Sequence, residues 1–429
     1  GMYPEGQENF PVTGISWYEA MAYANYRNLS LPNVYQWATA ATLSSSSSFM
    51  YNSNFSQNQL INVGSQDNSN FNGLYDIAGN VREWIVNSLS DDSSIKGILG
   101  GSFNDEPYYF NDYFGQNSMD RSLGNGLRLV KNLESEFKTD ITANDQYYVK
   151  VRDFLNEKNV SDDVFEIFKS QYDYDISELN KEEKTLDYSF SSFAVDQFYI
   201  DAAYNNERLP GYVFYDKNIK KPYKPIIFFP GSGSINTDSF ENGIENRMKQ
   251  FSYLLSEGYA LIHPIYKSTF ERRDNIKSDY PDETDEYKNA VIRWGKDYKR
   301  AIDYIQSRDD MDINSLSYYG ISWGGSIANI LLAIDDRVKN SVLYVAGIEF
   351  QTCKKEVDKF YYTSRIKIPV LMLNGKFDHF FPLETSQIPM FKLLGTPEKD
   401  KKHYVYETGH YVPRDELIKL HLEWLKKYE

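Results

Sequence analysis

The sequence has few of the residues on which metal binding and acid–base chemistry most often depend. Its 429 residues include one cysteine, Cys353, and five histidines. One cysteine excludes a disulfide framework and a cysteine-rich metal site, and any imidazole chemistry must use one of the five histidines. Basic residues are also in deficit, because 46 Lys and Arg stand against 61 Asp and Glu, giving a net charge of −15. This balance works against nucleic acid and anionic lipid as partners, since both require a cationic face.

Long apolar runs are missing as well. No run reaches the ~18–20 residues that a membrane-spanning helix needs, so we expect no membrane segment in this chain. The length predicts two or three domains, at roughly 150 residues per domain. Residues 1–131 are rich in Asn, Ser, Gly, Tyr and Phe and have few long periodic segments, whereas residues 132–180 are charged and predicted to be largely helical.

Local patterns predict the main elements. Ser16–Glu19 has the pattern of a helix capping box, and a second helix is expected to begin near Pro32. Residues 188–216 show the two-residue period of antiparallel strands. After Pro222, short apolar strands alternate with amphipathic helices, which predicts a mostly parallel sheet with helices on both faces.

A candidate nucleophile lies in this second part. The segment Gly320–Gly325 reads Gly-Ile-Ser-Trp-Gly-Gly and matches the pattern G-x-S-x-G between a predicted strand and a predicted helix. In that context Ser322 stands on a sharp turn at the helix N-terminus, with its hydroxyl lifted out of the sheet. A side chain in place of either flanking glycine would collide with the turn. We predict Ser322 as the nucleophile; a simple helix N-terminus is the alternative.

A serine hydroxyl needs a base, and the chain order for this motif is Ser, then Asp or Glu, then His. Asp378 and His410 each follow a short predicted strand and a glycine-containing turn. Both therefore lie at carboxyl ends of strands, where an open α/β sheet places its site. We predict His410 as the base and Asp378 as the carboxylate that orients it. Glu407 and Asp415 are rival third members that fit this geometry less well.

Acyl transfer also needs backbone donors for the oxyanion. One predicted donor is the N–H of Trp323, the residue after the nucleophile. The second is expected from the loop Pro230–Ser234, whose glycines let the backbone approach a substrate closely. Either Gly231 or Ser232 can supply it, with Ser232 favoured. A plain flexible turn is the alternative for this loop.

The loop after His263 carries several polar residues on the expected catalytic edge. Tyr266, Lys267, Glu271 and Arg272 can bind a polar substrate. Equally, Glu271 with an arginine can simply fasten the loop.

The remaining histidines and the cysteine have simpler interpretations. His379 adjoins Asp378 and is either structural or directed toward the substrate, and His263 is either structural or part of the pocket wall. His403 and His421 are predicted to be structural. Cys353 has no basic neighbour in sequence and is expected to be an idle thiol.

The second part, over about residues 185–429, resembles the α/β-hydrolase superfamily. The matching segments are Pro230–Gly233, Gly320–Gly325, Leu373–Asp378 and Thr408–His410. The likeness is strongest to the dienelactone hydrolase, acetyl xylan esterase and prolyl oligopeptidase branches. It implies cleavage of esters or peptides through a Ser-Asp-His triad without a metal cofactor, and it leaves the substrate open.

The first part resembles the C-terminal half of the formylglycine-generating enzyme (sulfatase-modifying factor) domain. The matching segments are Pro11–Ala20, Leu31-Pro32 with Trp37, Gly73–Trp84, Gly100–Phe103 and Gly126–Arg128. The family's oxidases use a cysteine pair to bind copper, and residues 1–131 contain no cysteine, so oxidase activity is not expected. The resemblance also implies that loops around Asn62 and Asn80 can hold a structural calcium ion.

The order of the two parts resembles bacterial fusions in which a serine/threonine kinase precedes such a pair. Tyr266–Arg273 and Gly395–Pro397 are similar to segments of the hydrolases in that group. The resemblance implies a kinase domain upstream of Gly1 in the parent protein, and it favours a location outside the cytoplasmic membrane over a cytoplasmic one.

These observations together predict an α/β fold with a doubly wound, mostly parallel α/β-hydrolase sheet, preceded by a smaller irregular α+β domain. The expected divisions are residues 1–133, a degenerate formylglycine-generating-enzyme-like domain; 134–184, a helical lead-in; and 185–429, the hydrolase. The predicted activity is hydrolysis of a small acyl ester by a serine hydrolase that needs no cofactor, with a non-catalytic binding domain before it. The alternatives are a binding or signalling module that uses the hydrolase fold as a scaffold, and a peptidase of the prolyl oligopeptidase type.

Overall fold

The computed structural model describes residues 5–41, 49, 52–70, 72–88, 94–105, 110, 114–131, 152–186, 192–276, 278–376, 378 and 380–428. The chain forms two compact units, residues 1–150 and residues 151–429. No helix within the described ranges combines the length and the apolar character needed to cross a membrane.

In its described residues, the first unit contains a small sheet and two helices. Its elements are α1 (Trp17–Tyr26), α2 (Val34–Ala41), β1 (Arg82–Ser88), β2 (Ile95–Leu99), β3 (Phe114–Asn117) and β4 (Asn125–Gly126). The strand order is β3-β2-β1-β4, with β1 antiparallel to β2 and parallel to β4. The predicted capping box is confirmed, because Ser16 Oγ accepts from the N–H of Glu19 while Glu19 Oε2 accepts from the N–H of Ser16. The second helix begins at Val34, two residues after Pro32.

Two buried tryptophans join distant segments of the first unit. The indole N–H of Trp17 donates to the carbonyl of Ile85 at 2.8 Å, and that of Trp84 donates to the carbonyl of Ile15 at 2.9 Å. Each ring thus fills the core while its one polar atom joins two distant segments. A unit with little regular structure is stabilised in this way by side chain to backbone bonds.

The second unit is built on one nine-stranded sheet. Its strands are β5 (Glu182–Leu186), β6 (Phe193–Asp201), β7 (Arg208–Asp216), β8 (Lys224–Phe229), β9 (Tyr259–Pro264), β10 (Ser317–Ile321), β11 (Asn340–Tyr344), β12 (Val370–Gly375) and β13 (Lys401–Tyr406). Its helices are α3 (Asp162–Ser170), α4 (Ile244–Leu255), α5 (Asp285–Gln306), α6 (Trp323–Ile334), α7 (Phe360–Thr363), α8 (Ile388–Leu393) and α9 (Arg414–Lys427). The strand order is β13-β12-β11-β10-β8-β9-β7-β6-β5.

Six neighbouring strands of this sheet, from β9 through β8 to β13, run parallel, while β5, β6 and β7 pair antiparallel at one end. Alternate residues of a strand enter different cores: Ile227 packs in the cluster that includes Trp294 of α5, whereas Ile226 packs in the cluster that includes Trp424 of α9. Because successive side chains of a strand point to opposite faces, the sheet is covered on both sides. The predicted doubly wound, mostly parallel sheet is confirmed.

The expected helical lead-in at 134–184 differs from what is found in its described part. Only Asp162–Ser170 is helical there, and Glu182 already begins strand β5. Phe154 and Tyr172 are buried in the core of the second unit. Residues 152–184 therefore pack as part of that unit, because their aromatic side chains need its core in order to leave water.

Candidate active site

The turn between β10 and α6 places Ser322 in a strained conformation. Its backbone has φ 55° and ψ −111°, a region that residues with a side chain rarely adopt. A Cβ on Gly320 would overlap the carbonyl of Gly324, and a Cβ on Gly324 would overlap the carbonyl of Phe229. The two glycines let the strand, the turn and the neighbouring strand β8 approach closely, as the G-x-S-x-G pattern predicted.

A continuous hydrogen-bonded series joins Ser322 to His410 and Asp378. His410 Nε2 lies 2.8 Å from Ser322 Oγ, and His410 Nδ1 lies 2.7 Å from Asp378 Oδ2. The three residues follow β10, β13 and β12, so all stand at the carboxyl ends of parallel strands. The structure thus brings together the three side chains that the sequence singled out from different parts of the chain.

The carboxylate of Asp378 is held from both sides. Its Oδ1 accepts from the N–H groups of Phe380 at 2.9 Å and of Phe381 at 3.1 Å, which leaves Oδ2 directed at His410. The side chain is fully buried. The rival Glu407 instead pairs with Lys376 at the surface. A fixed and buried acceptor on Nδ1 gives His410 one tautomer, with Nε2 unprotonated and able to accept the serine proton.

Two backbone N–H groups are placed near Ser322. Trp323 is the first residue of α6, so its N–H has no partner within the helix. Across the pocket, a Cβ on Gly231 would lie 3.5 Å from Ser322 Cβ. Ser232 begins the short 3₁₀ turn Ser232–Ile235. The residues that carry the predicted donors therefore lie beside Ser322, and their binding of an oxyanion remains a prediction.

Ser322 and His410 open onto a cavity of about 370 Å³. Asp279, Tyr280 and Phe380, which belong to none of the sequence motifs, also line it. The ring of Phe380 packs edge-on against His410, with 4.7 Å between the centroids. Phe380 lies two residues from Asp378, a proximity that could have been noticed, whereas Asp279 lies in a long loop after β9 without any motif.

The four polar residues proposed for substrate recognition do not line this cavity. Tyr266 is fully buried, stacks on Phe229 and donates its hydroxyl to the carbonyl of Phe228 at 3.2 Å. Glu271 Oε1 accepts from the N–H of Phe240 at 2.6 Å. Both side chains thus form hydrogen bonds with the backbone of neighbouring segments.

Lys267 and Arg272 are also engaged within the fold. Lys267 Nζ pairs with Glu207 at 3.0 Å, and Arg272 pairs with the fully buried Asp297 at 2.6 Å. Burial raises the pKa of Asp297, and Arg272 opposes that rise. These contacts correct the substrate-binding hypothesis for Tyr266, Lys267, Glu271 and Arg272 in favour of the loop-fastening alternative. His379, the fifth residue proposed, lies outside the described residues.

The other described histidines and the cysteine sit in apolar surroundings. Burial lowers the pKa of His263 and of His421 to about 3, and that of His403 to about 4. His263 is packed among aromatic rings, with its Nδ1 on the carbonyl of Pro264 at 2.9 Å. Burial also raises the pKa of the Cys353 thiol to about 12, so it remains protonated and unreactive at neutral pH.

Two side-chain oxygens in the loops expected to hold calcium accept hydrogen bonds from the protein. Asn80 Oδ1 accepts from Asn54 Nδ2 at 3.1 Å and from the N–H of Ile61 at 3.2 Å. Asp76 Oδ2 accepts from the N–H of Gly64 at 2.6 Å. A cation at these two atoms would have to displace N–H donors, and a structural calcium ion elsewhere in these loops remains a prediction. In the described part of the chain no group of three His, Cys, Asp or Glu is placed to hold a metal.

Comparison with known proteins assigns each unit separately. Residues 2–133 match the sulfatase-modifying factor enzyme 1-like domain, and residues 210–410 match the dienelactone hydrolase family. No curated protein matches the chain.

Several solved structures are similar to the chain. An acetyl xylan esterase from Paenibacillus sp. is 18% identical, covering 63% of this chain and 96% of its own, with a TM-score of 0.49. Acetyl xylan esterase 1 from Thermoanaerobacterium sp. is 15% identical, covering 64% and 96%, with a TM-score of 0.49. A cold-adapted esterase from an Arctic intertidal metagenomic library is 16% identical, covering 58% and 97%, with a TM-score of 0.41.

The strand order, the strained serine turn and the family matches agree with one another. The chain carries a sulfatase-modifying factor enzyme 1-like domain followed by an α/β-hydrolase-fold domain similar to the dienelactone hydrolase family, as its motifs predicted.

Proposed function

We propose that this protein is a serine esterase that hydrolyses small acyl esters through Ser322, His410 and Asp378. The observation that carries the proposal is the hydrogen-bonded series from Asp378 through His410 to Ser322, which ends at the wall of an open cavity. A buried carboxylate, an oriented imidazole and a hydroxyl in this order form the arrangement that activates serine for acyl transfer.

In the proposed reaction, His410 Nε2 takes the proton of Ser322 as Oγ attacks the ester carbonyl. The negative oxygen of the tetrahedral intermediate is received by the N–H of Trp323 and by that of Ser232 or Gly231. His410 then gives the proton to the leaving alkoxide, and the alcohol departs from an acyl-enzyme. Water, deprotonated by His410, releases the acid and restores the hydroxyl. Asp378 holds the imidazole and stabilises its charged form throughout.

Ester cleavage is favoured over the alternatives by several observations. The family matched by residues 210–410 is named for hydrolysis of a lactone, and the similar structures are named as esterases. A scaffold without activity would not need the strained backbone at Ser322, which costs of order 1–3 kcal/mol. For the first unit we propose a binding role without catalysis, and an upstream kinase and an extracytoplasmic location remain predictions.

The test is turnover of p-nitrophenyl acetate by the full chain and by S322A. We expect S322A to lower kcat by at least about 10³-fold, because removing the nucleophile of a triad costs that much or more. A fluorophosphonate probe should label Ser322 in the unaltered protein. The matched control is S326A, four residues along α6. Turnover unchanged in S322A, or labelling at another serine, would refute the proposed function.

A further inference from the structure

The cavity at Ser322 contains a carboxylate that the proposed reaction does not use. Asp279 lies in the loop between β9 and α5 and lines the cavity together with Ser322 and His410. Among the described residues, no side chain forms a hydrogen bond or ion pair with its carboxylate. A half-buried carboxylate without a side-chain partner is costly to maintain, which points to a role in binding.

The charges around Asp279 leave its negative charge available. Burial raises the pKa of Asp279 to about 6, with Glu349 adding to the rise and Lys359 opposing it, and His410 also faces this carboxyl group. Lys359 is itself committed to Glu349 at 2.6 Å, with both side chains buried. The nearby lysine is therefore already neutralised, and Asp279 is mainly ionised at neutral pH.

The other side chains of the cavity suit a cation that also has an apolar surface. Tyr280, Tyr344 and Phe380 line it with Asp279, and the described residues of its wall include no lysine or arginine. Aromatic rings attract an alkylammonium group through their negative faces, and a carboxylate completes such a site. The net charge of −15 raises the local concentration of cations further.

We propose that Asp279 makes this enzyme selective for esters that carry a positively charged ammonium group. The ammonium would lie between the carboxylate and the aromatic side chains while the ester carbonyl reaches Ser322. This inference rests on the proposed esterase function and names the substrate class of the same site. The hydrolysis itself is unchanged, because water still converts the ester to an acid and an alcohol.

The test compares two substrates of equal size and shape, acetylcholine and its neutral isostere 3,3-dimethylbutyl acetate. Acid release is followed in the full chain, in D279N and in E384Q, whose carboxylate is exposed and outside the cavity wall. We expect the unaltered protein and E384Q to favour the cationic ester by about tenfold in kcat/KM. In D279N that preference should disappear, because kcat/KM should fall about tenfold more for the cationic ester than for the neutral one.

Inhibition gives a second reading that does not depend on the chosen ester. Tetramethylammonium should compete with the neutral ester in the unaltered protein and lose about tenfold in affinity in D279N. Thermal melting shows whether D279N is folded.

The outcomes separate the two proposals. Hydrolysis of the neutral ester without preference for the cationic one would overturn this inference and leave the esterase proposal standing. Equal losses of kcat/KM for both esters in D279N would also overturn it, because Asp279 would then stabilise the site without recognising the ammonium charge. If S322A and the unaltered protein release acid equally slowly from both esters, both proposals are refuted together.

Discussion

The buried carboxylates of the two units differ in where their hydrogen-bond partners lead. In the first unit, Glu83 accepts from Arg128 at 2.9 Å, and its contacts end within the unit. In the second unit, Asp378 bonds His410, whose other ring nitrogen reaches Ser322 at a cavity wall. We call a hydrogen-bond network closed when all its members bond to other groups inside the protein. A closed network can only stabilise the fold, whereas a network that ends at a cavity holds a group in place at the cavity wall. Burial of a charged group is therefore not by itself a sign of chemistry.

The histidines and the cysteine of the chain occur in only one of the two units. All five histidines and the single cysteine lie in the second unit, between His263 and His421. His410 differs from the other three described histidines. It forms hydrogen bonds with Asp378 and Ser322. Burial lowers the pKa values of the others, His263, His403 and His421. Among the described histidines, His410 alone combines access to the cavity at Ser322 with a hydrogen bond to Asp378 that orients its ring.

The largest effect is expected from a closed network inside the second unit. R272A removes the cation that neutralises the fully buried Asp297, and breaking a buried pair in this way costs about 4 kcal/mol of unfolding free energy. KM for p-nitrophenyl acetate should stay within about twofold. The neighbouring R273A, which removes a pair with the exposed Asp238, should cost less than about 1 kcal/mol. A raised KM in R272A with unchanged stability would assign the loop to substrate binding instead.

A somewhat smaller effect is expected from the closed network of the first unit. R128A leaves Glu83 buried without its cation, and we expect the first unit to lose about 3 kcal/mol of unfolding free energy in denaturant titrations. Hydrolysis of p-nitrophenyl acetate should be unaffected. R121A, whose pair with Glu19 is exposed, serves as the matched control and should unfold like the unaltered chain. Loss of hydrolysis in R128A would show that the two units are coupled.

The smallest effect, taken over a single pH unit, is a pH dependence of stability that arises in the second unit. Burial lowers the pKa of His421 to about 3, below its unfolded value of about 6.5. The unfolded chain therefore takes up a proton that the folded chain refuses, and stability falls as pH drops from about 6.5 toward 3, by about 1.4 kcal/mol per pH unit. H421Q, which does not titrate, should lose this share of the slope. Stability curves that stay parallel for H421Q and the unaltered chain would contradict it.

The sequence predicted the fold of the second unit and the three residues that meet at its site for one physical reason. Strands with short apolar runs must lie inside a sheet covered on both faces, and the carboxyl ends of parallel strands meet at one edge. Ser322, Asp378 and His410 each follow such a strand, so their proximity is fixed by topology rather than by details of packing.

Other features depend on partners that sequence position does not reveal. Arg272 is fastened by Asp297 and Glu207, which lie on a helix and a turn that only the folded chain brings beside it. From the sequence alone, a polar loop that binds a substrate therefore cannot be distinguished from one that pairs with a buried carboxylate of the same protein. The described part of the lead-in was misjudged for a similar reason, since the aromatic residues there, such as Phe154, are buried only against residues much later in the chain.

Strand β5 closes one end of the nine-stranded sheet with side chains that are almost all exposed. A terminal strand presents unpaired backbone groups along its outer side, which invite a strand of another molecule and start aggregation. A strand that paired with β5 would lie beside Glu182, Glu183 and Lys184, three charged residues in succession. Charged side chains in succession oppose such pairing, so the exposed end of the large sheet carries its own barrier to strand addition.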